Sequence, residues 1–387
     1  MNRSVLPASC RQIGVAALRA RCRQHVGSLP VSRSPSNQWL SILAIAVVLG
    51  VAPAARANLT FNLVPQSGTP QYAIDGFTTA ANLWSSVLAD NVTVNLAIGF
   101  APLGAGVIGQ SYSDFAEFPY ATVTPALASH RTSADDYSAY AALQPGASYQ
   151  RIINHTSDNP NGANSATPYL DSMDRVGLTT ANAKALGLSP AGSALDGFIQ
   201  FSSDFSFDFN HGSTIQPGKL DFVGAAAHEI GHVLGFVSGV DDIDMLGGVY
   251  AAGDFSSNLI DLFRYSDLSR AAGSGYLDCT ADNRDKYFST DGGLTAIALF
   301  ANGITYGDHR QASHWRDNLG IGIMDPTAAY GELLTISATD LRAYDVLGYT
   351  IGVPEPGLST TLVTCSGLGL FLWLRSRNRI RGRSSPS

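Results

Sequence analysis

The amino-acid sequence predicts a mixed α/β or α+β domain. Three observations carry this: a helical stretch early in the chain, an alternating strand directly after it, and a second, almost wholly apolar helix far downstream. Ala73 to Leu88 (AIDGFTTAANLWSSVL) sets Phe77, Ala80, Ala81, Trp84 and Leu88 on one side at helical spacing. Val92 to Phe100 (VTVNLAIGF) alternates, so Val92, Val94, Leu96 and Ile98 share a strand face. Gly- and Ser-rich loops follow, then Gly197–Phe201 (GFIQF) as a short strand and SSDFSFDFNHGST as loop. Pro217-Gly218-Lys219 reads as a turn. It leads into Leu220–Phe236 (LDFVGAAAHEIGHVLGF), a helix whose apolar residues lie on nearly every side, which predicts burial. Asp221 suits its N-terminal end and Gly235 its stop. Asp and Gly are dense between 239 and 293, so irregular structure is expected there. The chain has no internal repeat.

The two ends differ from the middle. Residues 1–57 hold seven Arg and no acid, with an apolar run from Trp39 to Ala52 and an Ala55-Arg56-Ala57 pattern ahead of Asn58. This is the layout of a secretory signal peptide behind a long basic leader, so export is expected. A start placed too early would account for much of the leader without removing the export signal. At the other end, Leu358 to Leu374 is 17 residues without a charge, near the lower limit for a membrane span, and Arg375, Arg377, Arg379, Arg381 and Arg383 follow it. Basic residues tend to stay on the cytoplasmic side, so the precursor is expected to hold both ends inside and the middle outside. Pro354-Glu355-Pro356, the apolar span and the Arg cluster resemble the PEP-CTERM sorting signal of Gram-negative bacteria. That resemblance implies an exosortase-type processing enzyme as a partner, a transient membrane anchor over 354–387, and a destination at the cell surface or in its matrix.

The whole chain carries a net charge of −7, but the ends hold 12 of its 24 Lys and Arg and only one of its 31 acids. The 30 acids and 12 bases between them amount to −18, a balance that disfavours nucleic acid and anionic lipid and predicts a solvated acidic surface. Cys10, Cys22 and Cys365 fall in the ends, so Cys279 can form no internal disulfide in the middle. Stability there must come from a core and a metal, and a chain of this length can bury an ample core.

The chemistry gathers in HEIGH. His228 and His232 are i and i+4, on one helix face with Cβ atoms about 5–6 Å apart, so two imidazoles can reach one zinc. Glu229 is turned by about 100° and suits a general base better than a ligand. Two buried His and a buried Glu in an apolar helix are costly without a cation. With 8 His and 4 Glu in the chain, roughly 0.002 chance matches to H-E-x-x-H are expected, which makes coincidence a poor rival. The residues leave the third ligand open. Ser238, three residues after Gly235, offers only a hydroxyl, a poor zinc ligand. Asp241, Asp242 and Asp244 are near, while His309 and His314 are distant. Asp241 and Asp242 read otherwise as a solvated loop or, with Asp244, a calcium site. His130, His155 and His211 read as surface or loop histidines.

HEIGHVLGF, a long insertion containing DLFRY, then SHW and IMDPT resemble the leishmanolysin-like members of the metzincin zinc metalloproteases, over roughly residues 220–350. The resemblance implies His228, His232 and His314 as zinc ligands, Glu229 as base and Met324 in a Met-turn under the site. Asp241 or Asp242 stays as the alternative third ligand. It also implies a two-lobed zincin domain of the α+β class: an N-terminal lobe over 58–219 with a mixed sheet, and a catalytic lobe over 220–350 with the active-site helix and irregular structure. The family is typically disulfide-rich and has a propeptide with a blocking Cys, and this chain departs from it in both. The expected activity is that of a secreted or cell-surface zinc endopeptidase acting on protein or peptide. The alternative is a zinc-containing surface or matrix protein that binds without cutting.

Overall fold

A computed structural model describes residues 58–103, 107–189, 192 and 194–352. The expected leader (1–57) and sorting tail (354–387) lie outside the described residues, as do Cys10, Cys22 and Cys365. The fold is mixed α+β, as expected, with several sheets and eight α-helices among the described residues.

Strand β1 (Thr60–Pro65) leads through Pro70, whose fixed φ suits a helix start, into helix α1 (Gln71–Val87). Ala73, Phe77, Ala80, Ala81 and Trp84 form its buried side, as their spacing predicts. Strand β2 (Thr93–Phe100) follows, with Val94, Leu96 and Ile98 fully buried. Next come β3 (Gly109–Ser113), β4 (Phe115–Pro119), α2 (Tyr120–Ser129), α3 (Ala134–Ala142), β5 (Tyr149–Ile153), β6 (Tyr169–Met173), β7 (Arg175–Thr179), α4 (Thr180–Ala185) and β8 (Gly197–Phe201). The main sheet runs β1-β2-β8-β3: the first three strands are parallel, and β3 closes the edge antiparallel to β8.

The turn at 217–219 is present, with Lys219 N–H donating to the Gln216 carbonyl at 3.1 Å. It delivers the chain into helix α5 (Phe222–Val233), which carries HEIGH. Trp84 Nε1 of α1 donates to the Ala227 carbonyl of α5 at 2.8 Å. The rings of Phe77 and Phe222 meet edge to face at 5.2 Å, and Phe201 of β8 joins them at 5.1 Å from Phe222. Helix α5 is thus gripped between α1 and the main sheet by large apolar side chains, each worth about 1.5–3 kcal/mol of burial.

Beyond α5 the structure is irregular. Helices α6 (Val240–Leu246), α7 (Asp267–Ala272) and α8 (Ala338–Val346) are separated by short 3-10 turns and two-residue strands. The acid surplus is less superficial than the charge balance predicts. Ten aspartates are buried, Asp221, Asp244, Asp261, Asp278, Asp340 and Asp345 among them. A buried carboxyl needs donors, and loop backbone supplies N–H groups that no ladder satisfies. Cys279 is buried and unpaired. No helix among the described residues is long and apolar enough to cross a membrane.

Candidate metal centre

Asp221 caps α5, accepting from Gly224 N–H at 2.9 Å. Gly235, at φ +119°, takes the left-handed turn that ends the helix, a conformation other residues resist. Between these ends His228 and His232 stand one turn apart, ring centroids 4.7 Å from each other. His314 comes from a loop 82 residues further on and stacks on His228 at 5.1 Å.

The three Nε2 atoms form a triangle of 3.1, 3.2 and 3.2 Å. On the far side of each ring, Nδ1 faces a backbone carbonyl: Ile323 at 2.6 Å for His228, Phe236 at 2.8 Å for His232, Gln311 at 3.2 Å for His314. A carbonyl can only accept, so each Nδ1 carries the proton and each Nε2 is a bare lone pair. Three lone pairs this close repel unless a cation lies between them. Protonation is the poorer remedy. Burial, then the neighbouring His228, push His232 down to about 3 against the pull of the Phe236 carbonyl. Burial and the other two histidines push His314 well below the ordinary imidazole range. Tetrahedral zinc at about 2.0–2.1 Å from each nitrogen sets its nitrogens roughly 3.3 Å apart, close to the triangle found. The donor set and its spacing therefore fit zinc.

The scaffold of the third histidine comes from carboxyls. Asp241 accepts from Ala312 N–H at 2.6 Å, from Ser313 N–H at 3.1 Å and from the Ser313 hydroxyl. It holds the loop that presents His314 and stands outside the cluster of three histidines. Burial, partly offset by those bonds, pushes it up to about 6. Asp242 lines the cleft, is exposed and stands outside the cluster. Asp244 accepts from Thr305 and Tyr306 N–H at 2.7 and 2.8 Å and so braces another loop. His309 is exposed and His211 is bonded to Asp221. His155, expected at the surface, is buried and stacks on Tyr306 with rings 3.7 Å apart.

Met324 is fully buried and packs where α5 has no side chain. A Cβ on Gly231 would meet the Met324 sulfur at 2.5 Å and the Tyr344 hydroxyl at 2.6 Å, so the glycine inside HEIGH is a packing requirement. The turn holding Met324 hangs on Asp340, a residue the motif did not reveal. Its carboxyl accepts from Trp315 Nε1 at 2.8 Å, Ile323 N–H at 2.8 Å and Ser337 N–H at 2.7 Å, with Met324 N–H at 3.4 Å. One carboxyl thus ties the neighbour of His314 to the turn whose Ile323 carbonyl holds His228. The capping pattern Ser337-x-x-Asp340 was the available signal.

The triangle opens on a cleft of about 770 Å³. Glu229 lines it beside the histidines, and so does Ser111 of β3. The Ser111 hydroxyl donates to Glu229 Oε2. Only the fold brings these two together, and sequence reasoning missed Ser111. No family model, curated protein or solved structure matches the chain.

Proposed function

We propose that the protein is a zinc-dependent endopeptidase of the metzincin type, leishmanolysin-like in its active lobe, acting on protein or peptide substrates. The observation that carries this reading is the convergence of three Nε2 lone pairs within 3.2 Å of one another at an open cleft, with Glu229 beside them. His228, His232 and His314 would hold the metal. Zinc, when bound, supplies a Lewis acid that polarises a peptide carbonyl and makes water more acidic.

The chain's own residues do the remainder. Each backbone carbonyl on an Nδ1 fixes its ring and makes the opposite nitrogen a better donor. Glu229 accepts the proton of a water in the cleft and delivers it to the departing amine. Strand β3 is both the edge of the main sheet and a wall of the cleft, so an extended peptide meets free backbone donors and acceptors there.

Casein digestion with and without chelator, together with zinc content, tests this reading. Glu229→Gln should lose at least ~10²-fold in kcat while zinc stays bound. A zinc-loaded wild-type protein that leaves casein and peptide libraries intact would overturn the protease reading in favour of a binding role.

A further inference from the structure

We propose that Ser111 is a positioning residue for the general base: its hydroxyl fixes the Glu229 carboxylate in the rotamer that faces the cleft. The inference rests on the protease reading for its kinetic consequence, but its structural part stands apart from it.

A glutamate side chain has three rotatable bonds, and a base must be held to within about 0.5 Å to be effective. Glu229 is half-buried and lines a cleft of about 770 Å³, so it is not enclosed on all sides by other side chains. The Ser111 hydroxyl supplies the restraint by donating to Oε2. It engages one oxygen and leaves the other for the reacting water. The donor is well anchored. Ser111 sits in the middle of β3, in register with Ile199 of β8, and its neighbours Gln110 and Tyr112 pair with Gln200 and Phe198. Strand β8 lies against the same helix, where a Cβ on Gly197 would meet Val233 at 2.8 Å. Sheet and helix therefore move as one body, and the distance from hydroxyl to carboxylate is set by packing. A serine on a loop would give no such constancy. The bond also links base and substrate wall, because β3 is the strand along which an extended peptide would lie.

The test uses the low glutamate count. The chain has four glutamates, so protein labelled with 13C at the glutamate carboxyl gives at most four signals, and Glu229→Gln assigns the one that matters. With and without zinc, Ser111→Ala should move the Glu229 signal, whereas Ser113→Ala, the next residue on the same face, should leave it in place. In the zinc-loaded protein Ser111→Ala should lower kcat about 10-fold or more with KM and zinc content unchanged, and Ser111→Thr should restore most of the loss. A Glu229 signal indifferent to Ser111→Ala overturns the proposal. So does a variant with wild-type kcat, or one whose loss lies wholly in KM or zinc content. An inactive wild-type protein whose Glu229 signal still moves supports the hydrogen bond and counts against the protease reading alone.

Discussion

The two halves of the site are built by different physics. Helix α5 and the main sheet are held by apolar contact: Phe77, Phe201 and Phe222 interlock, Val94, Leu96 and Ile98 are fully buried, and backbone groups find partners in ladders and helix turns. The segment that brings His314 and Met324 has almost no regular structure. It is held by buried carboxyls that collect backbone N–H groups: Asp241 for 312–313, Asp244 for 305–306, Asp261 for 239 and 258, Asp340 for 323–324 and 337. Regular structure satisfies its own backbone, and a buried loop cannot. Aspartate, short and with two acceptor oxygens, does for the loops what the ladder does for the sheet.

If so, the halves should fail differently. Asp340→Ala leaves three close donors unpaired, at about 1–3 kcal/mol each and not fully additive, so a loss of roughly 4 kcal/mol or more is expected in urea denaturation. Phe222→Ala should cost about 3–5 kcal/mol through its cavity. Their effects on metal should part company. The folded fraction of Phe222→Ala should keep its zinc affinity, whereas Asp340→Ala should lose most of it. Equal zinc affinity in the two variants would erase the distinction.

The same contrast explains what was legible. Helix α1, strands β2 and β8 and helix α5 lie where periodicity placed them, within a few residues, because apolar burial leaves a period in the sequence. The strands at 264–265, 277–278 and 287–288 are two residues long and carry no period at all. HEIGH could be read because both histidines share one helix. His314 emerged only through the family resemblance of SHW and IMDPT, and Asp241 stayed as an alternative to it until the loop it holds was visible. Charge misled as well: an aspartate that staples backbone counts the same in composition as one in solvent.

Asp241 sharpens the comparison at intermediate cost. His314→Ala removes a proposed ligand, and zinc should be lost outright. Asp241→Ala removes only the support of the loop, so zinc affinity should fall about 10–100-fold, or roughly 1.4–2.8 kcal/mol, with three ligands still in place. Competition with a chromophoric chelator measures both. Were Asp241→Ala to abolish binding and His314→Ala to spare it, the assignment of the third ligand would be reversed.

The smallest effect is expected where a carboxyl finds too few donors. Asp345, buried near the end of α8, accepts from the Ser133 hydroxyl, while its Oδ1 has no partner. Burial first, then the charges of Asp136 and Asp135, push it from 3.8 up to about 6, against the bond to Ser133 and the pull of Arg342. It also stands at a helix C-terminus, where negative charge is unfavourable. The folded state therefore keeps a proton that the unfolded chain releases between about pH 4 and 6. This group's contribution to stability is full below that window and lost as pH rises through it. Asp345→Asn can still accept from Ser133 and has no charge to bury. It should match wild type at pH 4 and exceed it by about 1–2 kcal/mol at pH 7.5, less than the ~3 kcal/mol the full shift represents, because the pull of Arg342 is forfeited. Urea titrations of the metal-free protein at the two pH values read this directly. A variant weaker than wild type at pH 7.5 would mean that this carboxyl, like Asp340, is a staple in its own right.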